Sequence, residues 1–240
     1  MVREFLKSSI NTIRSAFSGE TLRNSPYVAT ILISLIVFII GINLFVELTS
    51  DVKAELMGDF DKSVTDSFVA LRSPELTRYF TFVTDVGDVN GYLVMLFITT
   101  ALIYYTFKKW KYVFQVILVL FLATISNVIL KRVFNRARPE IEHLVSVKTL
   151  SYPSGHAMSS MAFYGFLIYL VYKLKIPLIA KTLTIFVLSL LIISIGTSRI
   201  YLGVHFPSDI LGGWIAGAIW VFFCILIFNL IEAFRQDPLT

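Results

Sequence analysis

Two histidines and one aspartate have the residue types and the spacing that nucleophilic catalysis requires. His205 is followed four residues later by Asp209, and Pro207 between them suits the first turn of a helix. Asp209 can therefore hydrogen-bond one imidazole nitrogen of His205, which fixes the tautomer and leaves the other nitrogen free. An imidazole oriented by a carboxylate is a standard nucleophile or base. His156 comes from a different loop, so it could protonate a leaving oxygen from the opposite side.

The same region of the chain contains groups that bind oxyanions. Its three cationic candidates are Lys131, Arg138 and Arg199. Arginine offers paired planar donors and lysine a point charge. Ser154 and Gly155, at the predicted start of a helix, add backbone N–H groups and the positive end of the helix dipole. This set suits a tetrahedral anion such as phosphate. The cations would repel a divalent ion, so we expect neither a metal nor another cofactor.

The elements that must position these residues follow from a composition typical of a membrane protein. Of the 240 residues, 56% are hydrophobic and 15% are charged, and the mean hydropathy is +0.77. Soluble domains carry about 25% charged residues. The composition therefore excludes a soluble enzyme, a disordered chain and a disulfide-rich secreted scaffold. The net charge of +5 then reflects membrane topology and not nucleic-acid binding, and the single cysteine, Cys224, excludes an intramolecular disulfide.

Six apolar runs are long enough, or nearly so, to cross a membrane, which takes about 20 residues per helix. They cover residues 26–48, 91–107, 112–130, 156–172, 177–196 and 210–231. No internal repeat divides the chain. We therefore predict an all-α, six-transmembrane-helix bundle formed by a single domain of residues 1–240. No small-residue cleavage site follows the first run, which favours a retained helix over a signal peptide.

Basic residues in the loops set the orientation of such a bundle. The segment before the first run and the second and fourth loops are basic, which predicts that both termini are cytoplasmic. Parity then places the third loop outside, although this loop is basic too: its cations are Lys131, Arg132, Arg136, Arg138 and Lys148. Either a helix is miscounted or the cluster has a local task, and we favour the local task. The three segments 131–139, 153–156 and 198–209 would then meet at the outer face.

The long first loop, residues 49–90, contains an amphipathic pattern. Phe60, Val64, Phe68 and Leu71 recur at helical spacing, with acidic residues between them. We predict a short interfacial amphipathic helix on the outer face. A short helix that caps the bundle is the open alternative.

Other polar or small residues have more ordinary explanations. Arg132 and Arg136, near a helix end, are expected to extend toward lipid head groups. His143 has no patterned neighbours and is expected to be a loop residue. Gly213 and Gly217 form a Gly-x-x-x-Gly pattern typical of close helix packing. The joint occurrence of the remaining ionisable groups at a membrane edge indicates function.

Three patterns resemble the signatures of the type 2 phosphatidic acid phosphatase superfamily. Lys131, six residues and then Arg138-Pro139 resembles the first signature, and the segment from Pro153 to His156 resembles the second. Ser198-Arg199, five residues, His205, three residues and Asp209 resembles the third. All three are complete and in order, and together they span about a third of the chain.

The resemblance implies a metal-independent phosphatase of the integral-membrane branch. His205 would be the nucleophile that forms a phosphohistidine, Asp209 its orienting partner and His156 the general acid. The resemblance also implies the groups that bind the phosphate oxygens: Lys131, Arg138, Ser154, Gly155 and Arg199.

Substrates of this branch are lipid phosphates and pyrophosphates, such as phosphatidic acid, phosphatidylglycerol phosphate, undecaprenyl pyrophosphate and the phosphates of lipid A. The expected partners are thus a membrane lipid phosphate and the bilayer, without nucleic acid, and the expected location is the inner membrane of a bacterium. The head group, the preference for mono- or diphosphate and the oligomeric state stay open. Vanadate-dependent haloperoxidases share the signatures but are soluble. A non-catalytic lipid-phosphate binder or transporter would not need His205, Asp209 and His156.

Overall fold

The computed structural model describes residues 26–147 and 149–235, which form eight helices and no strand within these ranges. The helices are α1 Pro26–Lys53, α2 Gly58–Ala70, α3 Pro74–Val86, α4 Val89–Phe107, α5 Trp110–Phe134, α6 Gly155–Lys173, α7 Leu178–Tyr201 and α8 Pro207–Arg235. The prediction of an all-helical protein is thus confirmed. The basic residues before α1 and Lys148, on which the predicted orientation draws, lie outside the described residues.

Five of the eight helices are long and apolar enough to cross a membrane: α1, α4, α5, α7 and α8. The helix at the predicted fourth span, α6, is less apolar because His156, Ser159 and Ser160 occupy its first two turns. The sixth span therefore stays a prediction.

The chain packs as two compact units. Of the described residues, one unit comprises 26–40 and 222–235, and within it the rings of Phe38 and Phe223 lie 5.5 Å apart. The other comprises residues 41–221 and contains every predicted site residue. The prediction of a single domain stays a prediction.

Helix α6 lies largely inside the larger unit. It packs against α5 and α7, and Phe163, Tyr164 and Phe166 are fully buried. Two glycines of α8 permit close approach to α6: a Cβ at Gly213 would lie 2.7 Å from the carbonyl oxygen of Ser154, and a Cβ at Gly217 would lie 2.5 Å from that of Met158. The Gly-x-x-x-Gly pattern therefore packs helices, as predicted, and brings the start of α8 beside the start of α6.

The first loop contains two helices, whereas the sequence predicted one. Helix α3 begins at Pro74. The preceding residue, Ser73, is its N-cap, and its hydroxyl accepts a hydrogen bond of 3.2 Å from the N–H of Leu76. In α2, Phe68 packs against core residues of α6, α7 and α8, and Asp61 is buried. These contacts are those of a helix that caps the bundle. Its placement in the lipid interface stays a prediction.

Candidate active site

Three segments of the larger unit bring the predicted site residues together. They are the end of α5 with the loop that follows it, the start of α6, and the connection from α7 to α8. Backbone hydrogen bonds join them: the N–H of Ser154 donates to the carbonyl of Asp209 over 3.0 Å, and the N–H of Ser151 donates to that of Arg136 over 2.9 Å. Ser154, Arg199, His205 and Asp209 are buried, whereas Lys131, Arg138, Gly155 and His156 are partly exposed.

The predicted pair of His205 and Asp209 is formed. Nδ1 of His205 lies 3.2 Å from Oδ2 of Asp209, four residues along the chain. The same Oδ2 accepts hydrogen bonds from the Ser151 hydroxyl and, at 2.9 Å, from the N–H of Phe206. Burial lowers the pKa of His205 to about 3, against the opposing effect of Asp209. The imidazole is therefore neutral near pH 7, as a nucleophile must be.

Arg138 supports the tautomer of His205 in which Nδ1 carries the proton toward Asp209. Its NH1 lies 3.2 Å from Nε2 of His205 and also donates to the Val204 carbonyl, while its Nε and NH2 donate to the carbonyl and the hydroxyl of Thr149. Because a guanidinium only donates, Nε2 must be the acceptor and Nδ1 must carry the proton. The lone pair that could attack an electrophile thus lies on Nε2, next to a cation that could bind the electrophile's oxygens.

Lys131 and Asn127, one turn apart on α5, hold the segment that leads into α6. The ammonium of Lys131 donates to the carbonyls of Leu150 and Ser151. The amide of Asn127 donates to the Pro153 carbonyl over 3.0 Å. Asn127 is not among the predicted site residues, although an amide side chain in an apolar helix, four residues before Lys131, indicates a polar contact there.

The predicted Ser-Gly pair opens α6. The Ser154 hydroxyl accepts a long hydrogen bond of 3.5 Å from the N–H of Ala157 as the N-cap. A Cβ at Gly155 would lie 3.0 Å from the side-chain oxygen of Asn127, so a larger residue would disturb this turn. The free N–H groups at the start of α6 are an anion-binding feature of any helix N-terminus.

Two further predicted residues, Arg199 and His156, contact the α3–α4 region, which the motifs do not include. NH1 of Arg199 donates to the Thr84 hydroxyl at 2.5 Å, and its buried Nε has no hydrogen-bond partner among the described residues. Nε2 of His156 lies 2.9 Å from Oδ1 of Asp88, a close contact whose alignment is poor for a hydrogen bond. Contact with His156 lowers the pKa of Asp88.

The prediction that Arg136 extends toward lipid head groups is wrong. Its NH1 lies 2.7 Å from Oδ1 of Asp209 and its NH2 lies 2.8 Å from Oδ2 of Asp61, and both carboxylates are buried. Two buried anions are stronger partners for a guanidinium than hydrated head groups are. Arg132 is exposed, and His143 lies in the loop as predicted, with Nε2 2.9 Å from the Pro139 carbonyl.

The arrangement is suited to attack on a tetrahedral phosphorus. It combines a neutral imidazole with a lone pair on Nε2, a carboxylate behind it, cationic side chains beside it and a second histidine. Within residues 26–147 and 149–235, no three His, Cys, Asp or Glu side chains form a group that could hold a metal ion.

Comparison with known proteins assigns this arrangement to a family. Residues 112–232 match the PAP2 superfamily. Phosphatidylglycerophosphatase B of Bacillus subtilis (strain 168) is 29% identical over 195 residues, which cover 80% of this chain and 95% of that protein. Decaprenylphosphoryl-5-phosphoribose phosphatase of Mycolicibacterium smegmatis (strain ATCC 700084 / mc(2)155) is 36% identical over 97 residues, which cover 39% of this chain and 47% of that protein.

Solved structures are similar as well. The crystal structure of a transmembrane PAP2 type phosphatidylglycerolphosphate phosphatase from Bacillus subtilis superposes with a TM-score of 0.71, at 24% identity, over 85% of this chain and 98% of that chain. LpxE of Aquifex aeolicus superposes with a TM-score of 0.53, at 25% identity, over 70% of this chain and 93% of that chain. With five helices of membrane-spanning length and apolarity, the protein is an integral membrane protein. The chain therefore belongs to the PAP2 superfamily and is a lipid phosphatase of that family.

Proposed function

We propose that the protein hydrolyses the phosphate monoester or pyrophosphate of a membrane lipid through a phosphohistidine on His205. One observation carries the proposal: Nδ1 of His205 lies 3.2 Å from Asp209 and Nε2 lies 3.2 Å from Arg138, a geometry in which Nε2 is the nucleophilic nitrogen. A non-catalytic lipid-phosphate binder would need cations but no such oriented nucleophile.

The reaction would take two steps. In the first, Nε2 of His205 attacks phosphorus, the bond from phosphorus to the lipid oxygen breaks, and His156 donates a proton to that oxygen. In the second, water attacks the phosphohistidine, His156 takes the water's proton, and the N–P bond breaks to release inorganic phosphate. The imidazole ring is positively charged while it carries the phosphoryl group, and Asp209 compensates that charge.

The cations would bind and stabilise the transferring phosphoryl group. Lys131, Arg138 and Arg199 carry the positive charge, and the N–H groups at the start of α6 add donors. The buried, unpartnered Nε of Arg199 supports this assignment, because a buried donor without an acceptor is costly unless a ligand supplies one. Electrostatic stabilisation of this kind is commonly the largest contribution to catalysis.

Among the lipid phosphates considered, we propose phosphatidylglycerol phosphate as the substrate. The proposal is supported by the Bacillus phosphatidylglycerophosphatase, because the alignment covers 95% of that relative. We further propose a bacterial inner membrane, cytoplasmic termini and a site at the outer face.

Phosphate release is expected to be insensitive to EDTA, because Lys131, Arg138 and Arg199 supply the charge that a metal would otherwise provide. The measurement is phosphate release in detergent from phosphatidylglycerol phosphate, phosphatidic acid, undecaprenyl pyrophosphate and a lipid A phosphate, each with EDTA. We expect the highest kcat/KM for phosphatidylglycerol phosphate. Vanadate adopts the five-coordinate shape of the transition state and is expected to inhibit.

Two results would contradict this prediction. Loss of activity in EDTA with recovery in Mg2+ would refute the metal-independent mechanism. Binding of all four lipids without phosphate release would favour the non-catalytic binder.

His156→Ala is expected to slow phosphoenzyme formation by about 100- to 10,000-fold from a lipid phosphate, the usual range for general acid catalysis. A lipid alkoxide needs a proton to leave, whereas nitrophenolate does not. With p-nitrophenyl phosphate, the rate of phosphoenzyme formation should therefore fall much less. Single-turnover measurement of the first step is required because the second step is the same for both substrates. Equal losses would assign His156 to phosphate binding.

A further inference from the structure

A buried carboxylate outside all three motifs, Asp61 of α2, is joined to the start of α8. Its Oδ1 accepts a hydrogen bond of 2.8 Å from the N–H of Ser208, and its Oδ2 accepts one of 2.7 Å from the Ser208 hydroxyl. Oδ2 also accepts from NH2 of Arg136 over 2.8 Å. A carboxylate this buried is costly unless its charge and lone pairs are satisfied, and here they are satisfied by the residues around the proposed nucleophile.

Arg136 connects Asp61 to Asp209. NH2 binds Asp61, while NH1 donates to Oδ1 of Asp209 and to the Ser208 hydroxyl, both over 2.7 Å. The guanidinium also stacks on the Phe206 ring, with its carbon 4.3 Å from the ring centroid. Because Asp209 uses Oδ1 for Arg136 and Oδ2 for His205, both of its oxygens are held at once.

The charges of this chain of contacts have a consequence for the reaction. Asp61 and Asp209 contribute two negative charges and Arg136 one positive charge, so the sum is one negative charge facing the imidazole. The imidazole becomes positively charged as Nε2 bonds to phosphorus. A net negative charge stabilises that state, and a buried setting strengthens the effect. Without Asp61, the charge of Arg136 would cancel that of Asp209.

We propose that Asp61 and Arg136 are positioning residues for the reaction, which hold Asp209 in place and keep one net negative charge behind His205. The inference rests on the proposed function of His205 and Asp209. It assigns a role in turnover to α2, a helix of the first loop that none of the three motifs includes.

Asp61→Asn tests the charge directly. Asparagine keeps the size and an oxygen acceptor for the N–H of Ser208, but the sum of charges becomes zero. We expect kcat for p-nitrophenyl phosphate to fall about 10- to 100-fold, by analogy with the residues that orient metal-ligating histidines, which also act through another side chain. KM should change less than about twofold, because Asp61 does not touch the phosphate-binding groups.

The double variant Asp61→Asn/Arg136→Gln distinguishes charge from structure. It removes one charge of each sign, so the sum returns to one negative charge, no carboxylate at position 61 is left unpaired, and the glutamine amide can still donate to Oδ1 of Asp209. We expect its kcat to exceed that of Asp61→Asn by about tenfold, a non-additivity typical of residues in one network. If Asp61 and Arg136 only stabilise the fold, adding Arg136→Gln should lower kcat further.

Asp59→Asn is the matched control, since Asp59 lies on the same helix and is exposed. Thermal unfolding in detergent is measured for every variant. If Asp61→Asn does not fold, Arg136→Lys replaces it: lysine keeps the charge, but one ammonium cannot bridge Asp61 and Asp209 as the two guanidinium nitrogens do. Arg136→Lys is then expected to lose at least about tenfold in kcat.

Three results would overturn the inference. They are a kcat for Asp61→Asn equal to that of Asp59→Asn, a double variant no faster than Asp61→Asn, or an Arg136→Lys variant with wild-type kcat. The proposed function fails separately, if the wild-type protein releases no phosphate or if His205→Ala remains active.

Discussion

The His205→Ala variant is expected to lose turnover by more than about 10,000-fold, the scale on which removal of a nucleophile acts in a hydrolase. Alanine cannot form the N–P bond, and no other described imidazole lies against Asp209. We expect the variant to fold, because the lost contacts are three polar ones, to Asp209, Ser151 and Arg138.

Trapping the phosphoenzyme with labelled substrate tests this prediction directly. The wild-type protein should carry phosphate in an acid-labile, base-stable linkage, and the variant should carry none. His143→Ala is the matched control, because His143 lies in a loop and contacts the Pro139 carbonyl, away from Asp209. If His205→Ala keeps a tenth or more of wild-type activity, His205 is not the nucleophile.

The Asp209→Asn variant is expected to lose about 10,000-fold in kcat, as the equivalent change does in a serine-protease triad. All four hydrogen-bonding groups around this carboxylate are placed to donate to it: Nδ1 of His205, the N–H of Phe206, the Ser151 hydroxyl and NH1 of Arg136. Asparagine keeps one of the two oxygens and replaces the other with an NH2 group. That NH2 group then faces a hydrogen-bond donor and cannot accept from it. If that NH2 faces His205, Nδ1 must become the acceptor and the proton moves to Nε2, which removes the attacking lone pair.

A comparison of kcat with KM measures the effect of Asp209→Asn. KM should change little, because Asp209 does not contact the phosphate-binding cations Lys131, Arg138 and Arg199 in the structure. Asp59→Asn serves again as the control for loss of an acidic charge. A rise in KM at constant kcat would make Asp209 a structural residue of the first turn of α8.

The sequence by itself determined the features that depend on near neighbours along the chain. The pair of His205 and Asp209 forms because Asp209 lies in the first turn of α8, from which its carboxylate reaches back to His205 and to the N–H of Phe206, just before the helix. Ser154 caps α6 because a serine at a helix start can accept from an N–H three residues later. The membrane class followed from composition alone, since lipid is the environment that allows so few charges in 240 residues.

The spacing predicted Arg138 as a site residue, but it did not predict the partners of Arg136. Arg138 and Arg136 are two residues apart in the same basic loop, and sequence reasoning assigned one to phosphate and the other to lipid head groups. In the structure Arg138 contacts His205, while Arg136 lies between two buried carboxylates. The difference depends on which partners the fold brings to each guanidinium, and those partners come from other helices.

Only the tertiary structure decided which residues of the first loop contact the site. Asp61, Thr84 and Asp88 belong to the first loop, far along the chain from the three motifs, and Asp61 has the sequence pattern of a solvated helix face. Helix α2 turns Asp61 inward because Arg136 and Ser208 satisfy its charge and lone pairs in the interior. The contact of Arg138 with Nε2 of His205, between residues 67 apart, is likewise a product of the tertiary structure, and it supports the tautomer that Asp209 favours at Nδ1. Long-range contacts of this kind depend on how whole helices pack, and residue spacing does not encode that packing.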